Sequence, residues 1–173
     1  KNAQGESSDV VPVVVGREAV AGLRARYYTI DAQTNICRVN RFSSDLMELK
    51  VEQTEDAVNH PVNEAGARWG TVPGALFEHN LFVEWEGLMD FAQPGNYTVG
   101  FTYTDGVRLW LDGQRVVNWW GCSEMVRTRL QPLEVKAAGV KTIRIEWIFD
   151  RHSQVALQFL WSLNGGAEEQ IGR

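Results

Sequence analysis

The stretch GNYTVGFTYTDGVRLWLDG, residues 95–113, decides the fold. Tyr97, Val99, Phe101 and Tyr103 alternate with Thr98, Gly100 and Thr102. After Asp105-Gly106 the alternation resumes, with Val107, Leu109 and Leu111 set against Arg108 and Trp110. A period of two with the large apolar residues on one side marks strands that bury one face. Asp-Gly is a favoured hairpin pair, so Asp105-Gly106 and Asp112-Gly113 both read as turns between paired strands. Asp105 also raises the question of whether a carboxylate at a strand end serves as a ligand.

The pattern extends outward from this centre. GLRARYY (22–28), LFVEWEG (81–87), KTIRIEWIF (141–149) and QVALQFLWSL (154–163) all alternate, and VRTRL (126–130) looks like one face of a strand. Each run is short, rich in β-branched or aromatic residues, and bounded by Gly, Asp, Asn or Pro, which is the pattern of antiparallel strands. About eight such strands favour a sandwich or a barrel. The expected fold class is all-β. SSDLMELKVEQTEDAV (43–58) is the best candidate for a helical piece and reads equally well as strand and loop. Residues 40–80 are the least regular, and no internal repeat is evident.

Composition sets the limits. The chain has 173 residues, 44% of them hydrophobic and 23% charged, as expected of one globular domain with tails. Residues 1–18 read as an incoming linker whose Val-rich second half can add an edge strand, 19–164 as the domain, and 165–173 as an outgoing linker. A domain with a linker at each end, opening on Lys1 rather than Met, is expected to be a module of a larger chain. The net charge of −5 and the scattered basic residues argue against nucleic acid as a partner. The longest apolar run, VVPVVV at 10–15, is far too short to cross a membrane. Cys37 and Cys122 are either a disulfide or two buried thiols. If joined, they would stabilise the fold by at most about 4–5 kcal/mol.

The ordered set of motifs is similar to a known family, the module first described in the protective antigen of anthrax toxin. It also occurs in yeast flocculins and adhesins, in bacterial adhesins and as insertions in β-glucosidases. Gly22-Leu23 with Tyr27-Tyr28 matches the family's opening, and Trp85 with Gly87, then Gly95 and Tyr97, follow, with Val99 where Phe is usual. Asp105-Gly106, Leu109, Asp112-Gly113, Ile143, Ile145, Glu146 and the Leu157–Trp161 run complete the match over residues 20–163. The resemblance implies an antiparallel β-sandwich with jelly-roll-like topology. It also implies a glycan as partner, in an extracellular, cell-surface or periplasmic setting.

In the family's lectins two consecutive aspartates, joined by a cis peptide, hold calcium, which in turn binds sugar hydroxyls. Calcium is the one cofactor the resemblance implies, and its site would be Thr104, Asp105 and Asp150. Thr104 stands where the first aspartate belongs, so calcium affinity is expected to reach at best about 10⁻⁴–10⁻³ M. Asp150, Arg151 and His152 in FDRHSQVAL (149–157) would share Asp105's rim, Asp150 supplying a carboxylate and the other two hydrogen-bonding sugar. The plain alternative is a solvated hairpin turn. Trp119 and Trp120 must point to opposite faces of a strand, one into the core and the other free to stack on a sugar ring. Asn96-Tyr97-Thr98 fits the N-glycosylation pattern.

No nucleophile or metalloprotease motif is present, and His60, His79 and His152 lie in separate segments. Glu84 and Glu86, about 7 Å apart along one strand, have the spacing of an inverting glycosidase pair, but Glu-x-Glu on a polar strand face is common. The sequence therefore predicts a non-catalytic, lectin-like module of an adhesin or glycan-active enzyme. The alternatives are a structural or protein-interaction sandwich and, third, a small glycoside hydrolase.

Overall fold

The computed structural model describes residues 12–15, 22–64, 72–151, 154–164 and 169–170. Its strands are β1 (Pro12–Val15), β2 (Leu23–Ile30), β3 (Met47–Glu55), β4 (Asn59–Glu64), β5 (Asn80–Phe91) and β6 (Gly95–Tyr103). They continue with β7 (Gly106–Leu111), β8 (Gln114–Trp119), β9 (Arg127–Val135), β10 (Gly139–Asp150), β11 (Gln154–Leu163) and β12 (Glu169–Gln170). Two 3₁₀ turns, Ile36–Arg38 and Gly74–Glu78, complete the regular structure, and no α-helix occurs among the described residues.

Sheet one has the order β3-β2-β5-β10-β7-β8, and β1 pairs in parallel with β5 where β2 ends. Sheet two has the order β12-β11-β6-β9, with β4 also on β11. All pairings other than β1 with β5 are antiparallel, and the sheets pack as a sandwich. The alternation read from the sequence is what makes this possible. Leu81, Val83 and Trp85 of β5, Ile143, Ile145, Trp147 and Phe149 of β10, and Val107 and Leu109 of β7 all point inward. They meet Tyr97, Val99, Phe101 and Tyr103 of β6 and Val155, Leu157 and Phe159 of β11 from sheet two.

Of the two readings of segment 43–58, strand and loop is the one found: it carries β3, which pairs along β2 from Leu23 to Ile30. Two expectations need correction. Asp105-Gly106 does not close a hairpin, since β6 lies in sheet two and β7 in sheet one, and the pair carries the chain between them. The step from β10 to β11 is likewise a crossing between sheets and not a hairpin. Only Asp112-Gly113 makes the expected hairpin, linking β7 and β8 with both residues at positive φ, 48° and 74°. Gly106 is needed for a different reason. A Cβ there would lie 2.9 Å from the backbone nitrogen of Gly121, where the following loop crosses it.

Cys37 and Cys122 are joined, with Cα atoms 5.2 Å apart and a sequence separation of 85. The bond ties the loop after β2 to the loop after β8. Beneath it a second apolar cluster, Ile30, Ile36, Phe82 and Ile148, fills the outer face of sheet one, with Phe42 and Trp120 packed against it.

A polar hub joins the sheets at one edge of the main core. Glu55 accepts hydrogen bonds from the Tyr27 hydroxyl (2.6 Å), Trp85 Nε1 (2.8 Å) and Gln53 Nε2 (2.7 Å). His60 Nε2 of β4, in sheet two, lies 3.1 Å from the same carboxylate. Burial pushes the Glu55 carboxyl up, but the bonds from His60, Tyr27 and Trp85 outweigh it and hold the group below its ordinary value. Burial, with Glu55 alongside, pushes the Tyr27 hydroxyl well up.

Candidate functional site

The two sheet-to-sheet crossings meet at one rim, and Thr104 and Asp105 hold them there. Thr104 is fully buried. Its amide donates to Ala156 O (3.0 Å) and its carbonyl accepts from Trp147 Nε1 (2.8 Å). Its hydroxyl oxygen accepts from Ala156 N at 3.4 Å. Asp105 is 3% exposed and sits at φ 57°, a conformation that Asp tolerates better than most residues. Its Oδ1 accepts from Ser123 N (2.9 Å) and its Oδ2 from Asp150 N (3.2 Å). Its own amide donates to Ser123 O. One carboxylate thus ties the start of β7 to the end of β10 and to the disulfide-anchored loop.

The structure therefore brings Thr104, Asp105 and Asp150 together, as the resemblance implied, with Arg151 next to them. Arg151 is exposed, at φ 46°. His152 lies outside the described residues. The Asp150 carboxylate is half-buried, and its Oδ2 lies 3.5 Å from Cys37 Sγ. A disulfide sulfur has no proton to donate, so this is a contact and not a hydrogen bond. For the same reason Cys37, Cys122 and Asp150, though close together, do not make a thiolate metal site. Asn80 lies between Ile30 and Asp150 in the sheet register. It is buried, and its Oδ1 has no hydrogen-bond partner.

As calcium ligands these residues fit poorly. Calcium takes six to eight oxygens. Here the Thr104 hydroxyl is buried against Ala156, and both Asp105 oxygens already accept backbone amides. No peptide bond among the described residues is cis.

The paired tryptophans diverge as a strand requires. Trp119 stacks on Tyr103 at 5.8 Å and packs against the main core. Trp120 turns to the outer face, donates from Nε1 to Val39 O, and carries the Arg108 guanidinium 3.7 Å above one face of its ring. Both are half-buried.

The outer face of sheet one holds a feature the sequence hid. Across β2, β5, β10, β7 and β8 one row reads Arg26, Glu84, Glu146, Arg108, Asn118. The next reads Arg24, Glu86, Arg144, Trp110, Arg115. Arg26 bridges Glu84 and Glu86, and Arg144 bridges Glu84 and Glu146. Both carboxylates of the Glu84/Glu86 pair, whose spacing suggested a glycosidase, are therefore held by arginine. Glu84 and Glu146 face each other across the strands. Burial raises both carboxyls, the Arg144 guanidinium opposes the rise at both, and a neighbouring carboxylate adds to it. The 36–47 segment overhangs this grid, and between them lies a cleft of about 420 Å³.

A family model, the PA14 domain, matches residues 35–173. No curated protein matches the chain. Among solved structures, an anti-sigma factor domain-containing protein from Clostridium clariflavum is 17% identical, with a TM-score of 0.65 over 88% of this chain and 45% of its own. The chain thus spans less than half the length of that protein. The PA14 domain of MpAFP antifreeze protein is 16% identical, with a TM-score of 0.70 over 91% of this chain and 92% of that one. A PA14 sugar-binding domain from an RTX adhesin is 19% identical, with a TM-score of 0.61 over 88% and 95%. With a sandwich whose crossings meet at Thr104 and Asp105, and a family model spanning most of its length, the chain belongs to the PA14 domain family.

Proposed function

We propose that this domain is a non-catalytic carbohydrate-binding module of a larger extracytoplasmic protein, an adhesin or a glycan-active enzyme. We place its glycan site at the rim. The observation that carries this reading is the convergence there of the half-exposed Asp150, the exposed Arg151 and the unpartnered buried oxygen of Asn80. Asp105 fixes the backbone of Asp150 to the Ser123 loop. A carboxylate, a guanidinium and an amide oxygen are the groups that hydrogen-bond a sugar's hydroxyls, and a fixed backbone lowers the ordering cost of doing so. His152, next in the chain, is assigned to the same site. Trp120, packed beside Cys37 and Cys122 on the outer face, is the aromatic candidate for this site, and Trp119 faces the core.

Family membership supports the reading, since one solved member is a sugar-binding domain of an adhesin. The disulfide supports an oxidising compartment. We further propose that binding needs no calcium at Thr104, Asp105 and Asp150, because Asp105 is engaged with amides. The test is the double variant Asp150→Ala/Arg151→Ala. It is expected to weaken glycan binding about tenfold or more with little loss of stability, because the Asp150 amide that Asp105 holds remains. Unchanged affinity would move the site elsewhere.

A further inference from the structure

The outer-face cleft carries a different chemistry from the rim. Its lining includes four arginines, Arg41, Arg108, Arg115 and Arg144, against two carboxylates, Glu84 and Glu146. This cationic surplus sits in a chain whose formal charge is −5. The four arginines are not equivalent. Arg144 is engaged with both glutamates. Arg108 bonds Asn118 Oδ1 and Asn40 O and covers Trp120. The guanidiniums of Arg41 and Arg115 have no ion pair or hydrogen bond among the described residues. They come from different elements, Arg41 from the overhanging segment and Arg115 from the β8 strand.

Between them the floor is aromatic, beside carboxylates already held by arginine. Trp110 lies beside Arg144, its ring centre 5.3 Å from the guanidinium, and Tyr28 lines the far side. The Glu84 and Glu146 side chains are about one-tenth exposed and are held in fixed orientations by arginine. The volume lies in the range of small-molecule sites, about 300–1,000 Å³.

We propose that this cleft is a second ligand site, specific for a saccharide that carries a carboxylate. The paired forks of Arg41 and Arg115 would take the sugar's carboxylate, since guanidinium matches that planar anion bidentately. Trp110 would cover its apolar face. A neutral sugar leaves the two arginines unanswered. A phosphate monoester carries up to two negative charges, so the two glutamates oppose it more strongly; a sulfate monoester carries one, as a carboxylate does, and is therefore the control that separates carboxylate recognition from attraction of any anion. This site does not depend on the rim reading.

Binding of a hexuronic acid trisaccharide to the whole chain, measured by calorimetry, tests it, alongside the carboxyl-reduced, otherwise identical neutral trisaccharide and a sulfated hexose. The acid is expected to bind at least about tenfold more tightly than the neutral trisaccharide, and more tightly than the sulfated hexose. The double variant Arg41→Gln/Arg115→Gln, at two exposed positions, is expected to remove that preference while unfolding at the wild-type midpoint. Amide and indole NMR shifts on adding the acid should centre on Trp110 and Arg115. Equal binding of acid and neutral sugar, an unaffected double variant, absent binding of the acid, or shifts centred on Asp150 and Arg151 would each overturn the proposal.

Discussion

Asp105→Ala is expected to destabilise the domain by about 2–4 kcal/mol, since two part-buried backbone amides would each lose their acceptor at roughly 1–3 kcal/mol. The amides are those of Ser123 and Asp150, and they belong to two separate segments. The loss should therefore include loosening of the β10 end and of the loop at Cys122, beyond the local strand. Asp105→Asn separates this from a charge effect. Its single carbonyl oxygen can keep one amide, and about half of the loss should return. Urea unfolding of the two variants beside the wild type measures both. The wild-type midpoint should also stay where it is when calcium is added, because a ligand that binds the folded state raises stability with its concentration. A loss below about 1 kcal/mol for the alanine variant, or a calcium-dependent midpoint, would return Asp105 to the role of metal ligand.

Glu55→Ala should cost about 5 kcal/mol, because it deprives several buried donors of one shared acceptor. Tyr27 and Trp85 lie in the fully buried core, so water cannot replace the lost carboxylate. Glu55→Gln should rescue little. The groups around the carboxylate donate, and an amide brings two further donors in place of one acceptor. The pH dependence has a definite sign. The folded protein holds the Glu55 carboxyl below its ordinary value of 4.5, so its contribution is fully present above that pH. It is lost as the pH falls through the lower, folded-state value. Glu84 and Glu146 have the opposite sign. Their carboxyls are raised in the fold, so that contribution is present below the ordinary carboxylate value and lost as the pH rises through the folded one. The acid limb of a stability–pH curve should therefore flatten in Glu55→Gln. An unchanged limb would remove Glu55 from the hub.

The fold was legible because its inner faces obey a period of two. Tyr97 to Tyr103, Val107 to Leu111 and Ile143 to Phe149 are each read correctly from alternation alone, and all face the core. What alternation does not carry is which sheet a strand joins. Asp105-Gly106 has the composition of a hairpin turn, yet it crosses between sheets, since the choice depends on packing of residues far away in sequence. The strand within 43–58 was ambiguous because its exposed residues dominate: Glu48, Leu49, Lys50, Glu52 and Thr54 face solvent.

Among the site residues, the nearness of Asp105 and Asp150 was legible from the resemblance. Their bonding was not. Nothing in the sequence says that Asp105 spends both oxygens on backbone amides. Glu55 reads as one more charge in VEQTE until register places Tyr27, Trp85 and His60 around it. The Arg/Glu grid is invisible for the same reason. Arg26, Glu84, Glu146 and Arg108 come from four strands, and only pairing puts them in one row.

Glycan binding by the whole chain with calcium and with a chelator, on an array spanning neutral and acidic sugars, bears most directly on the carbohydrate-binding role. Binding to at least one sugar class, equal in both conditions and weakened by Asp150→Ala/Arg151→Ala, is the expected result. No binding in either condition would contradict the role and leave a structural or protein-interaction sandwich. Binding only with calcium would contradict the metal-free rim.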